Sequence, residues 1–86
     1  MHAIEVLELA MEVAKRLGYQ IRQEYLGGSG GGACEFAGKR WIFVDLALNT
    51  VEQIEQVLEA LEADPELAQT KLPAPLTRLF TARRAA

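Results

Sequence analysis

YQIRQEYLGGSGGGACEFAGKRWIFVD, residues 19–45, is the stretch whose patterning decides the fold. From Tyr19 to Tyr25 the side chains alternate, with Tyr19, Ile21, Gln23 and Tyr25 on one side and Gln20, Arg22 and Glu24 on the other, which predicts a half-buried strand over 19–26. Residues 27–32 hold five glycines in six positions and cannot sustain regular structure, so they are expected to form a loop. Two extended runs follow, 33–36 and 39–46, separated by Ala37-Gly38, a spacing suited to a tight hairpin in which Glu35 faces Arg40 and Cys34 faces Trp41. Trp41-Ile42-Phe43-Val44 is apolar on both pleat faces, so either helices cover both sides or a partner covers one. Asp45 shares a face with Trp41 and Phe43. The expected sheet is antiparallel and three-stranded, with the segments flanking the glycine run as neighbouring strands.

Outward from this stretch the period changes to that of helices. Residues 3–17 place Glu5, Glu8, Glu12, Lys15 and Arg16 on one narrow face and leave a wide apolar arc that includes Ile4, Leu7 and Met11, with Gly18 as the stop. Thr50-Val51-Glu52-Gln53 reads as a capping box opening a helix over 51–63, whose Val51, Ile54, Val57, Leu58 and Leu61 face inward. Asp64-Pro65 caps a short helical turn to about residue 69. Leu72-Pro73-Ala74-Pro75 then breaks the chain before a last short helix over 75–83. The predicted fold is one α+β domain spanning 1–86, ordered α-β-β-β-α-α, with a glycine-rich loop at 27–32 and a basic tail at 81–86.

Composition agrees with a packed, helix-rich core: half of the 86 residues are hydrophobic, with 13 Ala and 12 Leu. The size excludes a Rossmann domain or a TIM barrel. Glu5, Glu8 and Glu12 interrupt the first apolar stretch as no secretory segment tolerates, and the longest uncharged apolar run, Trp41–Val44, is far below the ~20 residues of a membrane span. A cytoplasmic protein with a reduced thiol is expected. Residues 1–70 carry a net −7, while Lys71, Arg78, Arg83 and Arg84 give 71–86 a net +4. The acidic body repels nucleic acid, and the tail lacks the broad basic face that phosphate binding uses.

Tests for chemistry return little. Gly28–Ala33 fits G-x-G-x-x-A, but extended Cys34-Glu35-Phe36 stands where a dinucleotide fold needs a helix. Ala33–Lys39 fits a phosphate-loop pattern, but Arg40 stands where magnesium binding requires Ser or Thr. Cys34 lacks a base or cation to lower its pKa and is expected to be a small buried hydrophobe. One Cys and one His provide no metal-ligand spacing, and no cofactor is expected. Asp45 reads as a turn-capping acceptor rather than a general base. The glycine run has three readings: a mobile connection, an engineered linker, or an anion-binding nest of backbone N–H groups.

The run LGGSGGGACEFAGKRWIFVDLALNTVEQIEQVLEAL, with LPAPLTRLF downstream, resembles a set of small uncharacterised bacterial proteins. These carry a Gly-Gly pair or run, a following Cys, a G-[KR] turn, a hydrophobic strand ending in Asp, an amphipathic helix and a closing Leu-Pro segment with an arginine. The resemblance covers about residues 26–80 and implies no activity or substrate. It implies that Gly31, Gly32, Cys34, Gly38 and Asp45 belong to one structural motif. Glu35 departs from the basic residue that often follows the Cys, which argues against an anion site there.

The leading expectation is a non-catalytic interaction module that forms a homodimer or binds a protein partner, either through Ile4, Leu7 and Met11 of the first helix or through the Trp41 and Phe43 sheet face. The alternative is a small-ligand or thiol-based protein in which Gly30, Gly31, Gly32, Cys34 and Asp45 line an anion or acyl site.

Overall fold

The computed structural model describes residues 2–28 and 30–85; Met1, Ser29 of the glycine loop and Ala86 of the basic tail lie outside the described residues. Helix α1 (Ala3–Arg16) leads into strand β1 (Tyr19–Glu24), then β2 (Gly32–Phe36) and β3 (Lys39–Asp45). Helix α2 (Thr50–Glu62), a 3-10 turn (Pro65–Gln69) and helix α3 (Ala74–Ala85) complete the chain. The class is α+β. No described helix is long and apolar enough to cross a membrane.

α1 ends where glycine was expected to end it, with Gly18 at φ +97°, a conformation that costs an L side chain energy. Its buried line is Leu7, Ala10, Val13 and Ala14. α2 buries Ile54, Val57, Leu58, Ala60 and Leu61, and the two helices pack on each other and on the sheet. Leu67, Leu76 and Phe80 close the core from the C-terminal pieces. The cap of α2 lies one residue earlier than Thr50: Asn49 accepts the Glu52 N–H at 2.8 Å, and the Glu52 carboxylate accepts the Asn49 N–H at 3.1 Å. The reciprocal geometry is that of a capping box, formed by Asn49 and Glu52 instead of Thr50 and Gln53.

The sheet is mixed, not antiparallel, and its order is β1-β3-β2. β2 and β3 form the expected hairpin, with Glu35 opposite Arg40 and Cys34 opposite Trp41. β1, however, runs parallel to β3, pairing Ile21 with Ile42 and Gln23 with Val44. The strands on either side of the glycine loop are therefore not neighbours, because β3 lies between them. The physical reason is burial: β3 is the most apolar strand, and the middle position gives it a hydrogen-bonded neighbour on each edge. Ile42 and Val44 have no exposed surface.

Among the described residues, helices cover one face only. Arg40, Ile42 and Val44 of β3, Tyr19 and Ile21 of β1 and Ala33 of β2 form the covered face. Alternation puts Gln20, Arg22, Cys34, Phe36, Lys39, Trp41 and Phe43 on the other.

Candidate functional site

For β3 to sit between β1 and β2, the intervening loop must cross the C-terminal end of β3, and Asp45 holds it there. Its carboxylate accepts the N–H of Leu26 at 2.9 Å and that of Gly28 at 2.6 Å, and also the N–H of Ala47 at 2.9 Å. Gln56 of α2 ties both partners from below, accepting the Asp45 N–H at 2.8 Å and donating to the Gly30 carbonyl at 2.9 Å. Asp45 is fully buried. Burial alone would raise its pKa, but the N–H groups of Leu26, Ala47 and Gly28 together hold it below the ordinary carboxylate value. The anion on the amides of Leu26 and Gly28 is thus the chain's own carboxylate.

Glycine is required most at Gly31. Its φ is +103°, and a Cβ there would lie 2.9 Å from the Phe43 carbonyl oxygen and 2.5 Å from Gln56 Nε2. Gly28 also has positive φ, but open space surrounds it. Gly30 is limited by Leu26, whose Cβ lies 2.9 Å from where its own would be.

A second polar cluster lies beneath the covered face. The Arg40 guanidinium sits 4.3 Å above the Tyr19 ring, donates to Asp64 at 2.9 Å and to the Leu17 carbonyl, and the Tyr19 hydroxyl also donates to Asp64 at 3.0 Å. Asp64 is nearly inaccessible and accepts the Glu66 N–H as cap of the 3-10 turn. That N–H, with Tyr19 and Arg40 added, holds its pKa below the ordinary value against the effect of burial. Burial first, and the Asp64 hydrogen bond second, push the Tyr19 phenol up. Sequence reasoning missed this cluster. The Asp64-Pro65 cap and the hairpin position of Arg40 opposite Glu35 were legible separately, but the meeting of Arg40 and Asp64 depends on how the 3-10 turn returns to the sheet.

Cys34 is exposed on β2, not buried as expected, because its face of the sheet carries no helix. A cleft of about 270 Å³ on the covered side, lined by Tyr19, Glu35, Arg40, Asp64 and Pro65, borders Cys34, whose side chain alternation sends to the other face. Gly31 and Gly32 line a different cleft, of about 300 Å³, with Gln56, Glu59 and Ala60. Neither of these two clefts joins Cys34 to Gly31 and Gly32. Gly30, Gly31, Gly32 and Asp45 are instead brought together around the end of β3.

On the bare face Trp41 and Phe43 stack with ring centroids 5.9 Å apart and planes 20° from parallel. Phe36 is 70% exposed beside them, and the buried Trp41 Nε1 has no acceptor among the described residues. The α1 residues do not form a common surface: Leu7 belongs to the core, Met11 packs half-buried against it, and only Ile4 stands exposed. Compared with known proteins, the chain matches no family model, no curated protein and no solved structure.

Proposed function

We propose that the chain is a non-catalytic interaction module that joins a second copy of itself through the sheet face carrying Trp41 and Phe43. The observation that carries this reading is the one-sided helical cover of the sheet: the strand richest in large apolar side chains sets Ile42 and Val44 in the core beneath the helices, whereas alternation puts the stacked Trp41 and Phe43 on the opposite face, half-buried, with exposed Phe36 beside them. Domains of this size bury only ~60–65% of their chain surface, and contiguous apolar patches in water mark association sites. The titratable residues of the two polar clusters are already bonded to one another and to backbone, which leaves them as struts rather than reagents.

Light scattering at ~100 μM tests the reading, since an affinity of ~10 μM corresponds to about −7 kcal/mol, within reach of a modest apolar interface. A mass above that of the monomer, which Phe43→Glu halves while the chain stays folded, is expected. A monomer mass for the unaltered chain at that concentration overturns it.

A further inference from the structure

The order β1-β3-β2 leaves two free sheet edges, and they differ in chemistry. β1 is blunted by charge, with Arg22 and Glu24 in an exposed ion pair. β2 reads Gly-Ala-Cys-Glu-Phe, with one charge in five residues. It joins β3 through Ala37 and Gly38 at φ +53° and +76°, the two positive values of a type I′ turn. In such a hairpin the closing pair, Phe36 and Lys39, exchanges hydrogen bonds, and the pattern alternates from there. Cys34 and Gly32 therefore bond to β3, whereas the N–H and C=O groups of Ala33 and Glu35 face away from it. Both residues are exposed. The two clefts flank this strand, and small Ala63 lines both, so the chain itself leaves the approach to the edge open.

We infer that β2 is the edge through which two copies of this chain pair, antiparallel about a two-fold axis at Cys34, to build a sheet ordered β1-β3-β2-β2-β3-β1. With the axis there, all five residues find partners. Ala33 and Glu35 of one copy exchange hydrogen bonds with Glu35 and Ala33 of the other, using the outward-facing backbone groups. Charge selects this register: Glu35 meets alanine, whereas an axis at Glu35 sets two carboxylates against each other and drops Gly32 and Ala33 from the pairing. Exposed Phe36 lies over Gly32, an aromatic covering the gap that a strand glycine leaves. Cys34 meets its own copy at a non-hydrogen-bonded position, where Cα atoms stand ~4.5 Å apart, inside the range a disulfide spans. The pairing stands apart from the face contact proposed above and leaves Phe43 free.

Cys34 makes the register measurable. Diamide, a diazene oxidant, takes one hydrogen atom from each of two thiols, leaving a disulfide and the corresponding hydrazine. In the native chain at ~10 μM, Cys34 is expected to cross-link on the order of 100-fold faster than in urea, because pairing raises the local thiol concentration towards millimolar. A Cys34→Ser, Gln20→Cys chain, whose thiol lies on the same face beside the other edge, is expected to cross-link at the unfolded rate. Equal rates for the two thiols, or no acceleration of Cys34 over urea, overturn the inference. Hydrogen exchange on the unaltered chain gives a second readout: the Ala33 and Glu35 amides are expected to be protected in the dimer and to lose protection on dilution. Unprotected amides in a sample that light scattering shows to be dimeric overturn the edge and leave the face contact standing. A Phe43→Glu chain that keeps the mass of the unaltered chain and cross-links supports the edge and overturns the face contact.

Discussion

Asp45 stays charged without exposed surface because three backbone N–H groups replace the water it has lost. Neither Leu26 nor Gly28 gains another acceptor if the carboxylate is removed, so Asp45→Ala is expected to lower the thermal midpoint by about 10 °C or more. Differential scanning calorimetry checks this. The pH dependence follows from direction alone. Asp45 and Asp64 are both held below their ordinary value of 3.8, so their stabilisation is complete above that pH and declines as pH falls through the lower folded values. The midpoint is expected to be flat between about pH 5 and 7 and to fall below about pH 4, with a shallower acid limb for Asp45→Asn. Gly31 makes the complementary test. Gly31→Ala adds a strained φ to an overlap with the Phe43 carbonyl and is expected to cost about 2–4 kcal/mol, whereas Gly28→Ala has the φ penalty alone, about 1–2 kcal/mol. Equal urea midpoints for the two variants contradict that account.

α2 shows how a motif can be recognised and still placed one residue off. Asn49, Thr50 and Glu52 all fit capping positions, and only the observed bonds identify Asn49 as the cap. Asn49→Ala is therefore expected to cost ~1 kcal/mol in denaturant unfolding, while Thr50→Ala, at the first helical position, stays within about 0.5 kcal/mol of the parent. β3 obeys a different logic. Its apolar run demands the centre of the sheet, and the glycine loop is what allows β1 and β2 to reach opposite sides of it. Asp45 and Gln56 then close the crossing.

For the domain as a unit, the helices lie on one side and an aromatic face on the other, so the two self-association surfaces first considered have different fates. Leu7 is core, and Leu7→Ala is expected to destabilise by about 2–5 kcal/mol without changing the mass of the folded species. Phe43→Glu is expected to leave the unfolding free energy of the monomer within about 1 kcal/mol of the parent, because the ring faces away from the core. Equilibrium unfolding together with light scattering separates the two effects. A Leu7 variant that is a stable monomer while Phe43→Glu unfolds the chain reverses the assignment.

Local physics made much of this protein legible in its residues. Period two and period 3.6 separated strands from helices, Gly18 and Asp64-Pro65 marked ends, and Ala37-Gly38 set the hairpin register, since each depends on neighbours within a few residues. The direction of β1, the exposure of Cys34 and the meeting of Tyr19, Arg40 and Asp64 depend on segments far apart in the chain. A strand's alternation is the same whether its neighbour runs parallel or antiparallel, so the pattern at 19–26 carried no information on direction. Asp45 was legible as a turn acceptor, but its hold on the glycine loop was not. That contact exists only because burying β3 between two strands forces the loop to cross above it, and the competition for the central position was decided by the whole core at once.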